Sequence, residues 1–214
     1  LECQYTSLTS LDLAGCGALT TVDCSVNGQL SQLNVTGLSS LRSLSCYDDA
    51  LTGLDLSGCT SLETLTAVRA GQLSLLDISD CTALRNLNVG SCGLAELDLA
   101  NLDMMENLAV GDNALTSIDV SQMANLTGLS VNDNLLSELD VSGNPLLTQL
   151  DCSGNQLGGL DVAGMSSLVH LHCESNLITA LDLTGLTSLT WLTCNDNLLT
   201  ALDVSPCTNL YSLE

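Results

Sequence analysis

Leucine recurs along this chain at a fixed interval. Residues 147–167 read LTQLDCSGNQLGGLDVAGMSS, and 168–188 and 189–209 repeat that pattern without a gap. Numbering each block as slots 1 to 21, apolar residues fill slots 1, 4, 6, 11, 14 and 16, with polar residues between them. The same template extends back as 1–18, 19–40, 41–61, 62–83, 84–104, 105–125 and 126–146, and 210–214 opens a further unit. Two units are one residue longer, each at a Gly-Gln pair (Gly28-Gln29 and Gly71-Gln72), and insertions of this kind belong in loops on one edge. Each block carries two stretches of period-two alternation, Leu150-Asp151-Cys152 and Leu160-Asp161-Val162 in the type block, which predict short strands with slots 4, 6, 14 and 16 inward. The residues between successive strands are too few for a full helix. The predicted fold is therefore a repeat solenoid, mostly β, with two short parallel sheets, tight turns and little or no helix. Residues 1–214 form a single domain of about ten 21–22-residue repeats, truncated at both ends.

Two further slots have structural roles. Gly37, Gly58, Gly143, Gly164 and Gly185 follow the second strand, where a corner with positive φ is expected. Slot 9 is usually Asn (Asn27, Asn113, Asn134, Asn155, Asn176, Asn197), with Asp49 and Cys92 as exceptions. An amide stacked on the next amide can bond backbone groups that a tight corner would orphan. With these motifs the chain resembles the leucine-rich repeat family, in particular its 21-residue bacterial (IRREKO-type) class, over essentially its whole length. The resemblance implies a right-handed superhelix and a secreted or surface-exposed bacterial protein that binds other macromolecules. Slot 19 departs from the class, being mostly apolar here (Cys59, Cys81, Leu102, Met123, Met165, Leu186), so that corner is expected to be buried.

Charge narrows the partners. With no Lys, three Arg and 25 acidic residues the net charge is −22, which repels nucleic-acid phosphates and anionic membranes. No apolar run is long enough for membrane insertion. Eleven Cys is an odd number, and no zinc-ligand spacing occurs, so no metal or cofactor is expected. Cys3, Cys24, Cys46, Cys152, Cys173 and Cys194 share inward slot 6 with Ala67 and Val89, Val110 and Val131, which makes them small buried hydrophobes. Cys16, Cys59, Cys81 and Cys207 share slot 19 and are expected buried as well, with Cys59–Cys81 the pair best placed to bridge.

Slot 15 is an Asp row (Asp12, Asp55, Asp77, Asp98, Asp119, Asp140, Asp161, Asp182, Asp203) broken at Asn34. Like charges one turn apart repel, so hydrogen bonds, raised pKa values or cations such as calcium must offset them. Beside it runs a hydroxyl column in slot 12, including Thr52, Thr116 and Thr179. Together these columns leave an ion- or ice-organising surface as a minor alternative.

The outward slots 3 and 5 of the first strand vary, and a variable face on a uniform scaffold is where recognition is expected. Both His and the single Trp lie there: His170 and His172 on one strand, Trp191 beside His170 on the next, with Glu174, Asp151 and Asp196 around them. This is the candidate ligand-binding site, suited to a protein hot spot or a sugar-stacking platform, with a His170/His172/Glu174 metal site as a lesser reading. A second patch gathers Tyr47, Arg69, Arg42 and Arg85. No catalytic arrangement is visible. The sequence thus predicts a non-catalytic module, extracellular or on the cell surface, that binds a protein or glycan ligand, with a passive spacer or stalk as the rival reading. Its ends leave self-association through ends or sheet edges open.

Overall fold

The computed structural model describes residues 1–70 and 73–214, so the Gly71-Gln72 insertion lies outside the described residues. The chain divides into two compact units, the first comprising 1–105 with 112–114 and the second 106–111 with 115–214. Each is a parallel β-solenoid built from three-residue strands, and no helix occurs among the described residues.

Unit 1 contains β1 (Ser10–Asp12), β2 (Thr21–Asp23), β3 (Gln32–Asn34), β4 (Ser43–Ser45), β5 (Gly53–Asp55), β6 (Thr64–Thr66), β7 (Leu75–Asp77) and β8 (Asn86–Asn88). The even-numbered strands are the predicted first strands and pair in parallel in the order β2-β4-β6-β8. The odd-numbered strands are the second strands, and they pair only as β1-β3 and β5-β7. Both of these ladders end on a 22-residue turn, 19–40 or 62–83. Unit 2 contains β9 (Asn107–Ala109), β10 (Gly128–Ser130), β11 (Gln149–Asp151), β12 (His170–His172), β13 (Trp191–Thr193) and β14 (Ser212–Leu213), paired consecutively in parallel. Its second stretches form no ladder. One backbone bond per turn links the segment just before them, such as Gln156 N–H to Leu136 O at 2.8 Å. The expected second sheet is thus realised as two strand pairs in unit 1.

The inward slots do what their periodicity demands. Leu44, Leu65, Leu150, Leu171 and Leu192 of slot 4 have no exposed surface, and neither do Cys24, Cys46, Cys152 and Cys173 of slot 6. All eleven cysteines are free thiols, so Cys59 and Cys81 do not bridge. Burial pushes the Cys24, Cys81 and Cys173 thiols up to about 12, which leaves them unreactive. Cys16 breaks the expectation for slot 19 and is exposed.

Slot 9 carries the corner. Asn155 donates through Nδ2 to the Cys152 carbonyl of its own turn (3.1 Å) and the Val131 carbonyl of the turn before (3.0 Å), and accepts the Leu136 N–H on Oδ1 (3.0 Å). Asn134 and Asn176 repeat all three bonds with their own neighbours. At slot 8, directly before, the backbone is left-handed in every turn from Tyr5 (φ 55°) to Asp196 (φ 53°). There the N–H still reaches the next turn, as Ser175 does to Asn195 O at 3.0 Å. Val26 adopts φ 59° despite its branched Cβ, at a cost of roughly 1–2 kcal/mol. Of the corner glycines, Gly37, Gly58, Gly164 and Gly185 have the expected positive φ. Gly143 does not. A Cβ there would stand 2.6 Å from Ser121 O, so the glycine answers a close approach of the neighbouring turn.

Asp49 replaces the slot-9 amide with a carboxyl. Its Oδ1 accepts Asn27 N–H at 2.8 Å, while Oδ2 is buried without a partner. Burial, with smaller contributions from Asp48 and Asp23, raises its pKa to about 6. Between the unfolded value near 4 and this folded value, the native state holds a proton that the unfolded chain has lost, so stability falls as pH rises through that window. Asp49→Asn restores the missing donor and removes the charge. It is expected to raise stability at pH 7.5 by about 1–2 kcal/mol and to erase the difference from wild type at pH 4, as read from denaturant melts at both pH values.

Candidate functional site

The slot-15 Asp row shows how this chain tolerates like charges. Asp55 Oδ1 accepts the Ser57 N–H at 2.9 Å and, more closely, its hydroxyl, and Asp77 does the same with Ser79 (3.1 and 2.7 Å). Hydrogen bonds from the hydroxyl and N–H two residues on hold Asp55, Asp77, Asp119, Asp140, Asp182 and Asp203 below the usual carboxylate range. The offset is local hydrogen bonding, and the raised pKa values entertained for this row do not occur at these six positions.

The variable face of unit 2 is assembled by strand register. Parallel pairing aligns Gln149, His170, Trp191 and Ser212 in one row, and Asp151, His172 and Thr193 in the next. The indole of Trp191 lies at the centre of a ring cluster. His170 meets it edge-on at 6.5 Å between centroids, His172 is tilted at 6.2 Å, and Tyr211 is edge-on at 6.1 Å. Trp191, His170 and His172 are half-buried, whereas Tyr211 is 71% exposed. The indole N–H is covered and has no acceptor, an unpaired donor costing roughly 1–3 kcal/mol.

Beneath this cluster runs a relay. Thr193, only 6% exposed, donates its hydroxyl to Glu174 Oε2 and lies 2.9 Å from His172 Nδ1. The single Thr193 hydroxyl proton points to Glu174, so the Thr193 oxygen accepts from His172 Nδ1–H. This fixes the His172 tautomer and ring orientation. The order of the groups is unsuited to nucleophilic catalysis, because the hydroxyl is central and buried instead of facing a substrate. Among the described residues no three His, Cys, Asp or Glu side chains are arranged to hold a metal ion.

The remaining predicted residues are placed as follows. Asp151 shares the His172 row, but its Oδ1 is occupied by the Ser153 N–H and hydroxyl. Asp196 occupies the left-handed corner two turns after Gly154 and accepts from Asn195 Nδ2 at 3.0 Å. Tyr47 and Arg69 lie in unit 1, separate from the Trp191 cluster. Arg69 grips Asp48 with two bonds (2.7 and 3.2 Å), and the charge of nearby Tyr5 raises the Tyr47 pKa. Arg42 pairs with Glu63 on the next turn. These exposed pairs relieve local repulsion and contribute little stability. Sequence reasoning missed Thr193 and Tyr211. Thr193 shares slot 5 with His172 one turn later, and Tyr211 follows Trp191 by nearly one period, so register could have found both.

No family model matches the sequence, and no curated protein does. Solved structures do. The fold and the 21-residue spacing match those of bacterial leucine-rich-repeat solenoids. It is similar to the functional domain of InlJ from Listeria monocytogenes, described as including a cysteine ladder, at 28% identity and a TM-score of 0.78. It is similar to YopM from Yersinia enterocolitica at 26% identity and a TM-score of 0.79. The match takes in 100% of this chain and 57% of the InlJ chain, and 96% and 43% for YopM. A leucine-rich-repeat protein of Leptospira interrogans, 19% identical over 100% of this chain and 71% of its own with a TM-score of 0.68, shares the fold.

Thr193→Val removes the relay while keeping the shape of the side chain. The His172 ring should then exchange between tautomers, seen as a shift of its Nδ1 and Nε2 resonances in nitrogen NMR, with His170 unchanged. Unchanged His172 resonances would sink the relay.

Proposed function

We propose that this chain is a non-catalytic recognition module, extracellular or on the cell surface, which holds a protein partner on the first-strand face of unit 2. One observation carries the reading. The protein has no Phe, one Trp and three Tyr, and none of these rings serves its core. Trp191 and Tyr211 join both histidines in one surface cluster, and Tyr5 and Tyr47 also lie outside the buried core. Burying an aromatic ring is the most profitable use of it in a small core, yet here aliphatic side chains and thiols fill the interior. Half-exposed rings with polar neighbours match the composition of interaction hot spots. The relay to Glu174 presents His172 in a fixed orientation, which lowers the ordering cost of binding. The unpaired indole N–H also gains an acceptor if the ring turns toward a partner.

The internalin-like and YopM neighbours support a protein-binding repeat module. A glycan stacked on Trp191 is the narrower variant of the same reading, and a passive spacer is its rival. No helix among the described residues is long and apolar enough to cross a membrane.

A screen of cell-surface proteins and glycans, run with wild type beside His170→Ala/His172→Ala/Trp191→Ala, tests the assignment. Loss of binding by roughly 30-fold or more with an unchanged melting curve is expected. Equal binding by both proteins moves the site elsewhere, and no binding by either favours the spacer.

A further inference from the structure

The second-stretch face of unit 1 carries a groove of about 680 Å³ with no part in the Trp191 cluster. It opens where the β1-β3 and β5-β7 ladders adjoin without hydrogen-bonding to each other. Leu11, Leu33 and Leu54 form its floor, Asp12, Asp55 and Asp77 line it, and Leu75 stands in it 70% exposed. Gly53, where the neighbouring turns carry Ser10, Gln32 and Leu75, leaves the space open. We propose that this groove binds an extended, lysine-bearing polypeptide segment of a partner protein.

Charge complementarity selects that occupant. No Arg lines the groove, and all three Arg lie outside it. Each lining Asp spends Oδ1 on the N–H two residues on, and Oδ2 accepts no bond from the described residues. The row therefore offers three open carboxylate oxygens over four turns, a span of ~14 Å at the spacing of parallel strands. Asn34 interrupts the row and donates Nδ2 to Asp12 Oδ1 at 2.9 Å. The hydrogen bonds that hold Asp55 and Asp77 below the usual carboxylate range keep them ionised well into acid. A lysine suits the mixed lining because its methylene stem can lie on Leu75 and Leu54 while the ammonium reaches a carboxylate. A second copy of this chain is a poor occupant, since it has no Lys and carries a net charge of −22.

The obvious confounder is the field of the whole protein, which attracts any polycation. The test is fluorescence polarisation at 0.15 M salt with a labelled octapeptide of alternating Lys and Ser, against wild type and three variants. Gly53→Leu fills the groove without changing charge, and the added Cβ meets nothing nearer than Leu75 O at 3.7 Å. Asp55→Asn/Asp77→Asn removes two charges while keeping the Oδ1 acceptors. Asp119→Asn/Asp140→Asn removes two charges from the same slot outside the groove. Binding should weaken about tenfold in each of the first two and less than about twofold in the third. Equal losses in the two double variants would reduce the effect to the general field and overturn the proposal, as would no binding by wild type. Should Gly53→Leu melt early, the paired comparison of the double variants still decides. Dimers of wild type on sizing, lost in Gly53→Leu, would assign the groove to a second copy instead.

Discussion

A solenoid turn of 21 residues has to reverse direction within a few residues beside an apolar interior, and the backbone groups at that corner cannot reach water. Everything else in this chain depends on how those groups are satisfied. The slot-9 amide solves the problem between turns: Asn155 and Asn176 both donate to the Cys152 carbonyl, so each corner is tied to the one before it. The left-handed residue at slot 8 turns the chain, and its N–H still bonds the following turn. Once the corner is tied, the leucines of slots 1, 4 and 11 stack, and the exterior of each strand is free to vary. The one acid in the slot, Asp49, shows the constraint from the other side, with a buried oxygen left unpartnered.

Much of this was legible in the sequence because the signals were periodic. Leucine spacing gave the turns, and the strand register that aligns His170 with Trp191 followed from it. Asn at slot 9 announced a structural amide. Other features had no residue signature. Slot 8 holds Tyr5, Val26, Asp48, Arg69 and Ser91, which share no chemistry, so its left-handed backbone is imposed by the fold over the preference of the residue. The sequence could not separate the ways of calming the Asp row, and the choice rests on Ser and Thr hydroxyls two residues on. The second sheet was overestimated because alternation alone does not say whether neighbouring stretches come close enough to pair.

The candidate site was half legible. His170, His172 and Trp191 stood out because they are rare residues in outward slots, and the structure brings them together with Tyr211. The relay through Thr193 was not legible, since a threonine in a chain this rich in threonine carries no signal until its distance to His172 and Glu174 is known. Asp151 and Asp196 are each held by a local hydrogen bond. The division of labour is clear in physical terms. Uniform slots face inward or brace the corners, and the residues able to make a distinctive contact are outward.

The central role of the slot-9 amide can be tested by amide hydrogen exchange on Asn155→Ala. That change strips the Leu136 N–H of its acceptor and the Val131 and Cys152 carbonyls of a donor. Protection at Leu136 should fall at least about tenfold, with global stability lowered by roughly 2–3 kcal/mol, while Ile178, held by Asn197, changes far less. Unchanged exchange at Leu136 together with unchanged stability would contradict the claim that these amides hold the turns together.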